Sequence, residues 1–245
     1  MTVPVGAPAW ADLAADDAGS ARDFYTRLFG WRWREVTEYS IAFKDAKPVA
    51  GVLPRPPGVP TSWNVYLECG GADRAVERVQ QLGGTVLTGP VTTPNDEKFL
   101  IIRDPAGTVT GLWESPPRNT FGHGDAGMLR WAELHTPDSG VDQFYADLLG
   151  YRQERESDNS SSTWFVQDQP LLGRVTTSPE DPQPPHWQLY FQVNPEQDTD
   201  TAAAKARELG GRVVQEPADT PHGRTALLAD NSGAAFAVID HRAVG

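Results

Sequence analysis

The 245 residues are enough for two domains, since a domain usually contains roughly 100–150 residues. The formal net charge of −12 argues against nucleic acid or an anionic membrane surface as a partner, because both require a basic face. One cysteine excludes an intrachain disulfide. The sequence has neither an apolar run long enough to span a bilayer nor a secretory signal, so we expect a cytoplasmic protein.

Two amphipathic helices are predicted in each half of the chain. The first has apolar residues at helical spacing, namely Ala21, Phe24, Tyr25, Leu28 and Phe29. Asp16 or Asp17 is placed to cap its start, and Gly30 is placed to end it. The matching helix of the second half is expected to start near Asp138 and to end at Gly150. A second helix in each half is predicted to end at a Gly-Gly pair.

Strands are predicted between these helices, where β-branched and aromatic residues form short runs. In the first half the runs are 39–43, 49–53, 99–102 and 108–113. In the second half they are 163–166, 171–175, 226–228 and 234–239. Asp104 and Gly107 predict a turn before the last strand of the first half. Each half is therefore expected to contain two βαβββ units.

The two halves carry the same short motifs in the same order. Trp10-Ala-Asp-Leu returns as Trp131-Ala-Glu-Leu, and Trp63 returns as Trp187. A period of about 121 residues (131 minus 10) indicates a duplicated domain, because the units of solenoid repeats are far shorter. We predict a first domain at 1–115, a linker rich in proline and glycine at 116–124, and a second domain at 125–245.

These features together resemble the vicinal oxygen chelate superfamily. The resemblance rests on the paired βαβββ units, the Phe-Tyr helix that ends in Leu-Phe-Gly-Trp, and the Asp-Pro-x-Gly turn before the last strand. Glyoxalase I, bleomycin-resistance proteins, fosfomycin-resistance enzymes and extradiol dioxygenases belong to that superfamily. The resemblance implies an α+β fold of two tandem domains, each with a curved sheet around a cavity.

The resemblance also indicates where metal-dependent relatives carry their ligands, on the first, fifth and eighth strands of a domain. The matching residues here are Trp10, Trp63 and Gly111 in the first half, and Trp131, Trp187 and Ala237 in the second. None of these side chains donates a lone pair to a metal. A shift of the alignment by two residues would bring Asp12 or Glu133 to the first strand's position but would leave the eighth strand without a ligand. We therefore predict a protein without metal or other cofactor, and the alternative is a metal-dependent enzyme of glyoxalase or dioxygenase type.

Tryptophans dominate the predicted ligand site. The resemblance implies that Trp10, Trp63, Trp131 and Trp187 point into the cavities, and Asp12, Leu189 and Phe191 are further ligand-binding candidates. Indole rings bind flat apolar ligands, and the indole N–H can orient one polar group. We therefore expect a hydrophobic or aromatic small molecule as the partner. The alternative is that the tryptophans fill the cavities and form a core.

Two titratable side chains, Glu133 and His135, share one strand face and are the candidate catalytic acid–base pair. The alternative is that Glu133 holds strands in register and that His135 lies half-exposed at a strand end. His186 and His222 also have no histidine counterparts in the first half, which favours the second half for chemistry. Two function classes follow: a binding protein that sequesters a compound, and a metal-free lyase, isomerase or hydrolase. The sequence is also compatible with a homodimer.

Overall fold

The computed structural model describes residues 3–116 and 121–243, so residues 117–120 of the predicted linker lie outside the described residues. The first half contains β1 (Pro8–Ala15), α1 (Ala18–Phe29), β2 (Arg32–Val36), β3 (Tyr39–Lys44), β4 (Lys47–Pro54), β5 (Ser62–Glu68), α2 (Ala72–Gln81), β6 (Thr85–Thr92), β7 (Lys98–Arg103) and β8 (Val109–Glu114). The second half contains β9 (Leu129–Thr136), α3 (Val141–Leu149), β10 (Arg152–Arg155), β11 (Ser161–Val166), β12 (Gln169–Thr176), β13 (His186–Gln192), α4 (Thr199–Glu208), β14 (Arg212–Thr220), β15 (Gly223–Ala229) and β16 (Ala235–Asp240). The predicted order of two βαβββ units in each half is confirmed.

Each half forms one eight-stranded sheet, and the strand order is the same in both. The orders are β2-β3-β4-β1-β5-β8-β7-β6 and β10-β11-β12-β9-β13-β16-β15-β14. β1 runs parallel to β4 with Asp12 opposite Gly51, and β9 runs parallel to β12 with Glu133 opposite Gly173. The repeated order and register confirm the predicted α+β fold with a duplicated domain.

The helix ends follow the predicted signals with one correction. Asp17 caps α1, since its side chain accepts a hydrogen bond from the backbone N–H of Ser20. Gly30 ends the helix in the left-handed conformation at φ +76°. At α3 the N-cap is Gly140, not Asp138, whose carboxylate instead accepts from the backbone N–H of Gly140 at 2.8 Å. Among the described residues, no helix combines the length and apolar composition needed to cross a membrane.

Contacts divide the chain into two compact units, and each unit combines segments of both halves. Within the described residues the first unit contains 3–10, 64–116 and 132–187, and the second contains 11–63, 121–131 and 188–243. Each unit therefore includes one helix from each half, α2 with α3 in the first and α1 with α4 in the second. The boundary between the two sequence repeats therefore differs from the boundaries between the two compact units.

The core of the first unit contains a buried chain of hydroxyl groups. Tyr145 on α3 donates to Oδ2 of Asp104 at 3.2 Å and hydrogen-bonds the hydroxyl of Thr110 at 2.7 Å. Trp187 donates through Nε1 to the same threonine hydroxyl at 2.8 Å. Burial, and then the negative charge of Asp104, raise the pKa of Tyr145 well above 10.0. The helix of one half is thus bound to the turn of the other.

The second unit repeats this arrangement around Tyr25 on α1. Its hydroxyl donates to Oδ2 of Asp230 at 3.1 Å and accepts from Nε1 of Trp63 at 2.9 Å. The surrounding aromatic side chains are Phe24, Phe29, Trp31, Phe191 and Phe236. In both units a tyrosine of one half binds the turn aspartate of the other half, so these repeated residues hold the fold.

A buried ion pair in the first unit is not repeated among the described residues of the second. Asp142 on α3 and Arg174 on β12 are both 0% exposed, and Nε of Arg174 lies 3.1 Å from Oδ1 of Asp142. The same carboxylate oxygen accepts from the hydroxyl of Ser162 at 2.7 Å and from Nε1 of Trp164 at 2.9 Å. In the first half the residue matching Asp142 is Arg22, so this cluster belongs to the second half alone among the two copies.

Candidate functional site

Alternation along β5 places Trp63 on the face that packs against α1. Its indole N–H reaches the hydroxyl of Tyr25, and its side chain is buried with Val65 and Leu67 at the following alternate positions. The opposite face carries Asn64 and Tyr66. Trp63 therefore packs in the core instead of lining a cavity, since it lies on the face opposite to Asn64 and Tyr66.

The same correction applies to β13. Trp187 donates to Thr110 inside the first unit's core, and Leu189 and Phe191, which alternate with it, are both fully buried. Phe191 packs against Phe29, with ring centroids 5.5 Å apart. Trp187, Leu189 and Phe191 therefore have the core role that was the alternative for the tryptophans. Gln188 and Tyr190 lie on the opposite face of β13, as alternation requires.

Four aromatic side chains of the first unit form a cluster that we call the aromatic wall: Trp10 on β1, Tyr66 on β5, Phe99 on β7 and Trp113 on β8. The ring centroid of Trp113 lies 6.2 Å from that of Trp10, 5.5 Å from that of Tyr66 and 5.9 Å from that of Phe99. Trp10 and Phe99 are partly exposed, whereas Tyr66 and Trp113 are 6% and 9% exposed. The wall therefore offers ring surface that a flat ligand can cover.

Trp113 also carries a buried donor without an acceptor. Its Nε1 is inaccessible to solvent and has no hydrogen-bond partner within residues 3–116 and 121–243. Leaving a buried donor unsatisfied costs about 1–3 kcal/mol, and most buried polar groups are paired. An oxygen atom of a bound ligand would satisfy this N–H.

The metal implied by the resemblance does not fit the residues of β8. A Cβ atom on Gly111 would lie 2.2 Å from Cδ1 of Tyr66, so the ring of Tyr66 occupies the space that a ligating side chain would need. Gly111 and Tyr66 are also direct register partners. Within the described part of the chain, no group of three His, Cys, Asp or Glu side chains is arranged to hold a metal ion.

Asp12 occupies a buried position on β1, two residues after Trp10. It is 5% exposed and lies opposite Gly51 on β4. A Cβ atom on Gly51 would clash with the side chain of Tyr39, so glycine is needed where this tyrosine crosses β4. Asp12 belongs to the second unit, whereas the aromatic wall belongs to the first.

The predicted pair Glu133 and His135 is brought together, and His186 joins it. Oε2 of Glu133 lies 3.0 Å from Nε2 of His135, with the two side chains 20% and 25% exposed. The rings of His135 and His186 stack with centroids 5.2 Å apart and planes inclined by 24°. Burial lowers the pKa of His186 below its usual 6.5. All three side chains belong to the first unit.

Two other predicted residues lie together in the second unit. The rings of Trp131 and His222 stack with centroids 6.2 Å apart, and Trp131 is partly exposed. The three histidines that the sequence groups in the second half are therefore divided, with His222 apart from the contact between His135 and His186. Trp131 lies two residues before Glu133, on the same face of β9.

Sequence reasoning missed Tyr66, Phe99 and Trp113. All three lie within predicted strands or repeated motifs, and strand alternation is the signal that could have found them. Trp113 is two residues after Gly111, so both share the face that the resemblance assigns to ligands. Tyr66 shares its face with Asn64 for the same reason.

A groove of about 350 Å³ lies elsewhere in the first unit. It is lined by Cys69, Arg74, Ala75, Glu77, Arg78, Gln81 and Leu148. Burial raises the pKa of Cys69 to about 11, so its sulfur stays a thiol at neutral pH and is a poor nucleophile. The groove includes none of the predicted site residues.

Comparison with known proteins gives two family matches that together span most of the chain. Residues 7–112 match the Glyoxalase/Bleomycin resistance protein/Dioxygenase superfamily, and residues 137–239 match a Glyoxalase-like domain. The chain is 33% identical to the anthracycline biosynthesis protein DauV of Streptomyces sp. (strain C5), over 97% of this chain and 94% of the relative. It is also 33% identical to "Putative glyoxylase CFP32" of Mycobacterium tuberculosis, over 96% of this chain and 94% of the relative.

Solved structures share the fold at low sequence identity. The Mn(II)-bound glyoxalase from Novosphingobium aromaticivorans is similar with a TM-score of 0.68 and 13% identity, covering 99% of this chain and 86% of that one. The 2,3-dioxygenase LapB from Pseudomonas sp. KL28 is similar with a TM-score of 0.70 and 12% identity, covering 97% and 93%. At such identities the likeness concerns the fold alone.

Proposed function

Because this chain belongs to the glyoxalase/bleomycin resistance protein/dioxygenase superfamily, we propose that it binds a hydrophobic aromatic small molecule on the aromatic wall, without a metal at the superfamily's ligand positions. The observation that carries this proposal is the buried indole N–H of Trp113, which has no acceptor within the described residues. A ligand that stacks on the wall, and whose oxygen atom reaches Nε1 once the atoms covering it move aside, satisfies both features of the site.

The energetics favour a flat ligand with few polar groups. The rings of Trp10 and Phe99 are partly exposed, and their planes are inclined by only 25° and 16° to that of Trp113. Burial of aromatic surface supplies most of the affinity at such sites, and a small number of placed polar groups fixes orientation. Trp113 supplies one such group.

The names of relatives agree with this ligand chemistry. DauV is named an anthracycline biosynthesis protein, and anthracyclines are fused-ring aromatic compounds. The chain covers 94% of that relative, so the two proteins have comparable extents. We extend to this chain only the aromatic character of the compound.

The alternative, a metal-dependent glyoxalase or dioxygenase, is disfavoured by the donor set. Gly111 and Ala237 occupy the eighth-strand positions of the two halves, and the ring of Tyr66 covers Gly111. Hard and borderline metals need oxygen, nitrogen or sulfur donors that converge on one point. A ring carbon from Tyr66 supplies none.

Equilibrium dialysis with 9-fluorenone, and with fluorene as the same ring system without the carbonyl, tests the proposal. We expect the protein to bind both compounds and to prefer the ketone. Trp113→Phe keeps a ring but removes the N–H, so the preference for the ketone should fall about tenfold, which corresponds to about 1.4 kcal/mol for one hydrogen bond. Trp33→Phe is the matched control, because its indole N–H donates to Thr26 outside the wall. An unchanged preference in Trp113→Phe, or no binding by the native protein, contradicts the proposal.

A further inference from the structure

Three titratable side chains of the first unit, Glu133, His135 and His186, are not part of the aromatic wall. We propose that they form an acid–base site that removes the proton from a hydroxyl group on an aromatic ring and binds the resulting phenolate. The inference rests on the proposed function only for the aromatic character of the ligand. The proton-accepting geometry is a property of the three side chains themselves.

The contact with Glu133 fixes the tautomer of His135. An ionised carboxylate only accepts hydrogen bonds, so with Glu133 ionised the 3.0 Å contact between its Oε2 and Nε2 of His135 places the proton on Nε2. The lone pair of the neutral ring is then on Nδ1. A histidine that is oriented by a carboxylate on one nitrogen and offers a lone pair on the other is the usual arrangement of a general base.

The backbone fixes the opposite tautomer in His186. Its Nδ1 lies 2.9 Å from the carbonyl oxygen of Pro184, and a carbonyl only accepts, so His186 carries its proton on Nδ1. The rings of His135 and His186 stack at 5.2 Å, and two positive charges at that distance repel. Simultaneous protonation of both rings is therefore disfavoured.

Geometry makes His135 the acceptor of the ligand's proton, because it contacts the carboxylate of Glu133 and remains partly exposed. Burial lowers the pKa of His186, a positive charge on His135 lowers it further, and the opposing effects come from the carbonyl of Pro184 and from Asp181. His135 has the carboxylate of Glu133 as a direct partner for its second N–H once it is charged. Its side chain is 25% exposed, so a ligand can approach it.

The proton transfer is balanced and involves no oxidant or reductant. The ligand O–H bond breaks, an N–H bond forms at Nδ1 of His135, and the electron pair stays on the phenolate oxygen. The imidazolium ion then donates through Nε2 to Glu133. Because a histidine has a pKa of about 6.5 and a simple phenol one of about 10, the transfer favours hydroxyl groups acidified by a conjugated electron-withdrawing group.

Binding of 4-nitrophenol tests this inference, because its phenolate absorbs visible light and its neutral form does not. At a pH below the pKa of the free compound, we expect the native protein to bind it largely as the phenolate. His135→Gln can still hydrogen-bond Glu133 and the probe but cannot take up the proton, so bound probe should remain neutral. Glu133→Gln should reduce the ionised fraction because the imidazolium ion loses its counter-charge.

His222→Gln is the matched control, since His222 stacks on Trp131 and not on His135. It should leave the visible absorption of the bound probe unchanged. The inference is overturned if saturating probe shows no phenolate with the native protein, or if His135→Gln retains the phenolate signal. Long-range nitrogen NMR of the ligand-free protein gives a second reading: neutral His135 with its proton on Nδ1 also overturns the inference.

These outcomes separate the inference from the proposed function. Fluorenone binding with no ionisation of 4-nitrophenol would reject the acid–base site and retain the aromatic wall. Ionisation by His135 without fluorenone binding would retain the acid–base site and reject the wall.

Discussion

Tyr25 and Tyr145 show why the same short motifs recur in both halves of the chain. Each hydroxyl is buried, and each binds the turn aspartate contributed by the other half, Asp230 or Asp104. Removal of either partner would leave a buried polar group unsatisfied, which costs about 1–3 kcal/mol. These two repeated tyrosine–aspartate pairs therefore serve the fold.

Asp142 and Arg174 form a pair that the first half does not repeat, and their burial predicts a large effect of a single substitution. Arg174→Met removes the buried positive partner of Asp142 and leaves its fully buried carboxylate with only the half-exposed Arg155, so we expect the free energy of unfolding to fall by about 3–5 kcal/mol. Urea unfolding measures the change.

Arg155→Met is the control for this prediction, because Arg155 binds the same carboxylate from a position that is 47% exposed. Loss of Arg155 should lower the free energy of unfolding by less than about 1 kcal/mol, as is usual for exposed ion pairs. Equal effects of the two substitutions would show that burial does not determine the contribution of this cluster.

Strand β5 shows what could be predicted at the scale of the element. The existence of the strand and its place in a βαβββ unit follow from composition and from the repeated motif. The face on which Trp63 lies does not follow from the sequence. A shift of one residue exchanges the two faces of a strand, and three of the four residues in Trp63-Asn64-Val65-Tyr66 are apolar or aromatic, so the polarity pattern does not distinguish the faces. The same exchange of faces applies to β13, where Leu189 and Phe191 are predicted ligand-binding residues but lie in the core.

The contact between Glu133 and His135 follows more directly from the sequence, since both residues lie on one strand. Glu133 and His135 are separated by two residues, and alternation alone places them on one face. His186 comes from β13, and its stacking on His135 depends on strand pairing that a single sequence does not reveal. The sequence also does not reveal that Tyr25 and Tyr145 each bind the turn of the other half, because these contacts join segments that are distant in the chain.

Close packing of β5 against β8 predicts a specific effect at Gly111. Gly111→Ala places a methyl group where the ring of Tyr66 lies, so we expect a loss of stability of about 1–3 kcal/mol, as overpacked sites show. Thermal unfolding measures this loss. Adding Tyr66→Leu should recover part of the stability by giving the methyl group room, and no recovery would mean that the ring is not the cause.

Three buried tyrosines predict how the stability of the whole molecule depends on alkaline pH. Burial raises the pKa values of Tyr25, Tyr145 and Tyr151 well above 10.0 in the folded protein. Above pH 10 the unfolded chain therefore ionises these groups first and binds fewer protons than the folded protein. The free energy of unfolding should fall by up to about 1.4 kcal/mol per pH unit for each tyrosine.

Urea unfolding at several pH values between about 9 and 12 measures this slope. The range includes pH 10, near which unperturbed tyrosines titrate. Tyr151→Phe removes one of the three groups and should reduce the slope by the contribution of one tyrosine, whatever its effect at neutral pH. A slope identical to that of the native protein would show that Tyr151 ionises equally in both states.

Metal content is the remaining prediction for the molecule as a whole. The eighth strands carry Gly111 and Ala237, and the described residues contain no group of three His, Cys, Asp or Glu side chains with a metal-binding arrangement. We therefore expect purified protein to contain far less than one Mn, Fe, Ni or Zn per chain by elemental analysis, and fluorenone binding to persist after dialysis against a chelator. One metal ion per chain, removed by the chelator together with fluorenone binding, would favour the metal-dependent alternative and reject the aromatic wall as a sufficient site.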